Sequence, residues 1–153
     1  METAPNQDQP HPAAFRSRRV LPYPPQRVFD AFARPEFLSR FWGPKGFTST
    51  FQVFEFRPGG RWNFIMHGPD GTDYPNQSVF TRLEAPSTWA VEHLLPPHFT
   101  LTVTLSPQDG GTALTWLQEF KDPAVAAKIK PIVEPANEQN LDRLEAVLAG
   151  DVL

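Results

Sequence analysis

The side chains best able to move a proton in this sequence are its four histidines, and one of them, His93, falls within a run of alternating apolar residues. Alternation over Thr88–Leu95 puts its ring on one strand face with Trp89, Val91 and Leu95, where a buried imidazole needs a hydrogen-bond partner. General acid–base chemistry would also need a positioned second group. The spacing supplies none, so a satisfied core histidine is the simpler reading and His93 is the one catalytic candidate. On the stretch 112–120, Gln118 and Glu119 must face opposite ways. If Leu114, Trp116 and Phe120 point inward, Gln118 joins them and Glu119 is solvated; the reverse register would bury Glu119 as a candidate acid or base. Arg82 and Glu84 share a strand face and read as a surface charge pair.

Other chemistries find little support. His11, His67 and His98 share no ligand spacing and no HExxH pattern occurs, so neither a metal centre nor any cofactor is expected. The pairs Gly59–Gly60 and Gly110–Gly111 are hairpin glycines, since a phosphate cradle would need a following helix. Neither Ser78 nor Ser106 sits in a Gly-x-Ser-x-Gly elbow or beside a base. Cysteine is absent, which removes disulfides, thiolate ligands and a thiol nucleophile. A net charge of -3 leaves no basic field for nucleic acid. No apolar run is long enough to span a bilayer, and the start METAPNQDQPHPAA has no secretory pattern, so a cytoplasmic location is expected.

The elements that must position these residues follow from hydrophobic period and breakers. With 153 residues and 40% hydrophobic content, one domain is expected over 14–153, preceded by an extended or disordered Pro-rich tail at 1–13. The segment 14–20 alternates as a strand. Pro24–Pro25 and Pro35 each open a short helix, the first carrying Val28, Phe29, Phe32 and Ala33, the second Phe37, Leu38 and Phe41. Strands are then expected at 47–56, 61–67, 77–84, 88–95, 99–106 and 112–120, separated by RPGG, PDG, AP, PPH and QDGG. Asp122 caps a long terminal helix that Pro123 begins, that Pro131 and Pro135 should kink or split, and that Gly150 ends.

This order of elements and several local words resemble the SRPBCC superfamily of START- and Bet v-like helix-grip proteins. The closer resemblance is to the branch named for the activator of heat-shock protein 90 ATPase. It is carried by PPQRVFDAF (24–32), FWGPKGF (41–47), RPGGRW (57–62), the PDG turn at 69–71 and GGTALTWLQEF (110–120). Two words depart from that pattern: Glu55–Phe56 before the turn, and Gln77–Ser78–Val79–Phe80 where many members show Gly-x-Tyr. The resemblance implies an α+β helix-grip fold. In it a curved antiparallel sheet of about seven strands, with two short helices after strand 1, is closed by a long C-terminal helix over a cavity. It also implies three uses of that cup: holding a hydrophobic small molecule, a polyketide cyclase or aromatase-like activity, or a co-chaperone's contact with the heat-shock ATPase.

Thirteen Phe and four Trp suit a broad aromatic interior. Strand alternation assigns its wall: Trp62, Phe64 and Met66 from one strand, Trp89, Val91 and His93 from another, Leu101 and Val103 from a third, Trp116 and Gln118 from the last. Phe54, Phe80 and Leu144 complete it, with Trp42 gating the mouth or anchoring the helix pair. Binding of a hydrophobic ligand is therefore the leading expectation, proton transfer by His93 the enzyme rival, and chaperone contact the interaction rival. A homodimer through the sheet edge or helix stays open.

Overall fold

The computed structural model describes residues 13–150. The expected disorder of residues 1–12 and the domain's last three residues lie outside them. Strand β1 (Ala14–Leu21) is followed by α1 (Pro25–Ala33) and α2 (Pro35–Phe41). Then come β2 (Thr48–Phe54), β3 (Arg61–His67), β4 (Asp73–Glu84), β5 (Thr88–His93), β6 (Phe99–Gln108) and β7 (Gly111–Phe120). Helix α3 (Pro123–Leu148) ends the described chain. The seven strands form one antiparallel sheet in the order β1-β7-β6-β5-β4-β3-β2. This is the α+β helix-grip arrangement the sequence implies.

Local chemistry explains the joints. Pro25 and Pro35 occupy first helical positions, where a missing N–H costs nothing. Asp122 accepts a hydrogen bond from Ala124 N at 2.9 Å and caps α3. Asp109 and Gly110 both take positive φ, 49° and 81°, the two-residue hairpin geometry that matches strand twist. Gly60 sits so close to Glu55 O that no side chain could be added there.

The structure moves several boundaries. Ala13, assigned by sequence to the tail, is fully buried, and its carbonyl accepts from Phe120 N at 2.9 Å. β4 begins at Asp73, not residue 77, and takes in Pro75 opposite Ile65. β5 pairs with β4 only from Ser78 onward, so Pro75 lies on a locally free edge where its missing donor leaves no gap in the ladder. β5 stops at His93 and β2 at Phe54, which leaves Leu95, Glu55 and Phe56 outside the strands. Helix α3 is one uninterrupted helix of 26 residues, not a split one. Pro131 and Pro135 are exposed, as are residues 127 and 131, whose carbonyls they leave without the usual helical donor.

Candidate ligand cavity

Because strand side chains alternate, β3 turns Trp62, Phe64 and Met66 toward α3 while Arg61, Asn63 and Ile65 face away. The same rule brings Asn76 and Ser78 of β4, Val91 and His93 of β5, Phe99 and Leu101 of β6, and Trp116 and Gln118 of β7 onto one concave surface. Ala136, Asn137 and Asn140 of α3 roof it, and the link Trp42–Gly43–Pro44 closes one side. Together they line a half-open cavity of about 150 Å³.

Of the residues expected at this wall, Trp42, Trp62, Phe64, Met66, Val91, His93, Leu101, Trp116 and Gln118 line the cavity. Phe54, Phe80, Trp89, Val103 and Leu144 do not. They sit on the right face but deeper, where α1 and α2 plug the cup: Phe32 packs on Trp89 at 5.1 Å between ring centres, and Phe80 edges onto Phe54 at 5.7 Å. Val103 and Leu144 are fully buried in the same solid core. Strand period fixes a face and not a depth. Trp42, expected to gate the mouth or to anchor the helix pair, lines the cavity and packs on the sheet, its ring 4.8 Å from Trp62 and 5.5 Å from Trp116.

The sequence reading missed the polar roof and rim. Asn137 and Asn140, three residues apart on the face that also carries Leu141 and Leu144, are buried amides on an apolar stripe, and that was the available signal. Asn137 Nδ2 donates to Gln118 Oε1 at 3.0 Å, tying roof to floor. Glu119, on the other face, is exposed. Asn140 Nδ2 donates to Phe41 O at 2.9 Å, and its Oδ1 accepts from Gly43 N at 3.1 Å. Arg143 reinforces this seam, donating to Gly43 O and Pro44 O at 3.0 Å each and to Arg40 O at 2.9 Å. Burial pushes its pKa down from the ordinary value. Gly43 must be glycine, with φ of 105° and Met66 Cε 2.9 Å from where a Cβ would stand.

His93 is buried and stacked on Phe99, with 4.6 Å between ring centres. Its Nδ1 lies 3.1 Å from Pro97 O, and its Nε2 lies 2.9 Å from Asn76 Oδ1. Burial pushes its pKa down, opposed by its hydrogen bonds to main-chain groups at Pro97 and Leu95. Both ring nitrogens thus face protein oxygens, and the neutral ring, with one N–H, donates to one of them.

The indole nitrogens of Trp62 and Trp116 are buried with no hydrogen-bond partner, and both rings line the cavity. No Asp, Glu, Lys or Arg is among the lining residues. Elsewhere, Arg82 and Glu84 form the expected exposed pair, at 2.6 and 3.2 Å. Thr50, His67 and Asp73 join across β2, β3 and β4 at 2.8 and 2.7 Å, on the face turned away from the cavity. Among the described residues no group of acidic, His or Cys side chains could hold a metal ion, and no helix is long and apolar enough to cross a membrane.

The family model for activator of Hsp90 ATPase homolog 1-like protein matches residues 22–149. A protein from Arthrobacter aurescens, solved in solution, is 26% identical with a TM-score of 0.84, over 90% of this chain and 87% of its own. A crystal structure from Nitrosomonas europaea shares the fold at 21% identity and a TM-score of 0.82, over 92% of this chain and 96% of its own. The AHSA1 protein of Silicibacter pomeroyi shares it at 19% identity and a TM-score of 0.73, over 91% of this chain and 99% of its own. No curated protein sequence matches.

Proposed function

The chain belongs to the family of activator of Hsp90 ATPase homolog 1-like proteins, and from that membership and the cavity under α3 we propose that it binds a hydrophobic small molecule between sheet and helix. The observation that carries the proposal is a half-open, aromatic-lined space of about 150 Å³ in a domain whose neighbouring core is solidly packed. Drug-sized ligands need pockets of roughly 300–1,000 Å³. A dry cavity of roughly 150 Å³ takes a molecule such as benzene, so the ligand is a single ring with a short substituent.

Holding is favoured over proton transfer because the one ionisable side chain on the wall, His93, has both nitrogens turned to protein oxygens and no second ionisable group beside it on the wall. Three of the four tryptophans line the cavity, so occupancy should change intrinsic fluorescence. Titration with single-ring apolar compounds should give a saturable signal, and native mass spectrometry of freshly purified protein should reveal any retained compound. Ala136→Leu, which fills the space from the roof, should abolish the signal while the protein stays folded. Saturable binding that survives this change would place the ligand elsewhere.

A further inference from the structure

Resting on that reading, we infer that the cavity selects an uncharged single-ring compound of the phenol kind, whose hydroxyl both accepts and donates at the open half of the Gln118–Asn137 amide pair.

The first support is the state of the polar atoms on the wall. Asn140 is used at both ends, by Phe41 O and Gly43 N, and His93 turns its two nitrogens to Pro97 O and Asn76 Oδ1. The roof–floor pair differs. Two primary amides can join through two reciprocal N–H···O bonds, but here only the bond from Asn137 Nδ2 to Gln118 Oε1 forms, at 3.0 Å. Among the described residues Gln118 Nε2 and Asn137 Oδ1 have no partner, and neither atom is sealed from the surface as the indole nitrogens are. Both residues are 9% exposed, and both line the cavity. Exchanging oxygen and nitrogen in both amides would reverse the bond yet still leave one donor and one acceptor open.

The second support is what an occupant must do to these atoms. A half-open space lets solvent reach them, and an apolar ring drawn over them takes that solvent away. A group that only accepts would serve Gln118 Nε2 and leave Asn137 Oδ1 bare. A hydroxyl serves both. Each open atom shares a carbon with an atom of the joining bond, so one small group at the joint meets the two together. A charged substituent is disfavoured, because no Asp, Glu, Lys or Arg lines the wall to compensate it. The hydroxyl of Ser78 also lacks a partner among the described residues, but it stands three strands away on β4 and offers one rotatable group in place of a fixed donor and acceptor.

Toluene, phenol and anisole present the same ring with no hydrogen-bonding group, a hydroxyl and a methylated oxygen. A wall without open polar groups would favour toluene over phenol by about tenfold or more, because the hydroxyl would lose its water unpaired. With the full-length protein at pH 7, phenol should instead bind at least as tightly as toluene and about tenfold more tightly than anisole. In proton–nitrogen correlation spectra, phenol should move the Gln118 side-chain amide signals downfield of their positions with toluene. Gln118→Met combined with Asn137→Leu replaces both amides by apolar side chains of like shape, so neither is left stranded. This change should weaken phenol relative to toluene by about tenfold or more while toluene still binds. Should that variant not fold, the wild-type affinities and amide shifts decide. Phenol binding more weakly than toluene in the wild type, anisole binding as tightly as phenol, or a phenol preference that persists in the variant and so lies with another group such as Ser78 would overturn the inference and leave the cavity reading standing. If none of the three compounds binds, the cavity reading itself falls.

Discussion

The first half of α3 buries only Ala126, seated in a small cluster with Ala13, Phe15 and Phe120, whereas the second half buries Asn137, Asn140, Leu141, Leu144, Val147 and Leu148. The second half is also tied by polar groups on two sides. Arg19 of β1 reaches Glu138, Asp142 and Glu145 at 2.8, 3.0 and 2.5 Å, and Arg143 and Asn140 hold the link after α2. The first half carries two interior prolines, Pro131 and Pro135, and the exposed Ile132. The cavity roof, Ala136 to Asn140, lies where the two regimes meet. One helix thus combines a clamp that fixes the roof with an arm whose local opening costs less, as expected where few apolar contacts and exposed backbone bonds coincide.

The test with the largest expected effect removes core from the clamp. Leu144→Ala should destabilise the domain by about 2–5 kcal/mol in denaturant unfolding, as for other fully buried leucines. Ile132→Ala should stay within about 0.5 kcal/mol. Equal costs would erase the distinction between the halves. Next comes the seam. Arg143→Met keeps the aliphatic stem but strips charge-assisted hydrogen bonds from Arg40 O, Gly43 O and Pro44 O, for a loss of about 2 kcal/mol. Amide exchange should quicken around residues 42–45. Unchanged exchange there would mean that the link is held by Trp42 packing alone.

A smaller effect is expected from repairing the arm. Pro131→Ala with Pro135→Ala restores two helical hydrogen bonds in a segment that opens by itself. Most of the roughly 3 kcal/mol that proline costs a helix interior should then appear as local protection near residues 127–135, with only about 1 kcal/mol added to global stability. A full gain in global stability would show that the arm and clamp unfold together.

The same contrast explains what could be read in the sequence. The seven strands, the paired proline-led helices and the Asp122 cap were legible because each rests on local chemistry: period two, a free N–H position, a capping carboxylate. The continuity of α3 was not, because whether a proline breaks a helix depends on whether the freed carbonyls face water, which requires the tertiary fold. The cavity wall was legible in direction only. Trp62 and Trp89 follow the same alternation rule, yet one faces empty space and the other is covered by Phe32, a residue about sixty positions earlier in the chain. Asn76 and Asn137 escaped notice because an amide reads as surface until its partner across the cup is known.

The smallest effect should come from His93, which bears on the arm through a chain of rings. His93 stacks on Phe99, Phe99 tilts onto Phe120 at 5.2 Å, and Phe120 belongs to the cluster that seats Ala126. The imidazole lies between two acceptors, Pro97 O and Asn76 Oδ1, while the Asn76 amide donor is committed to Tyr74 O at 2.8 Å. A protonated ring would satisfy both acceptors, but burial weighs more heavily and holds the folded pKa below the usual 6.5. The unfolded chain therefore takes up a proton first as pH falls. Stability present above 6.5 is lost as pH drops through that value toward the lower folded pKa, with a slope no steeper than about 1.4 kcal/mol per pH unit. Urea unfolding of wild type and His93→Gln between pH 7.5 and 5 should show this slope only in the wild type, with exchange in the first half of α3 rising before that of the second. Parallel slopes in the two proteins would remove His93 as the cause. Loosening that begins at Leu144 would invert the order of the two halves.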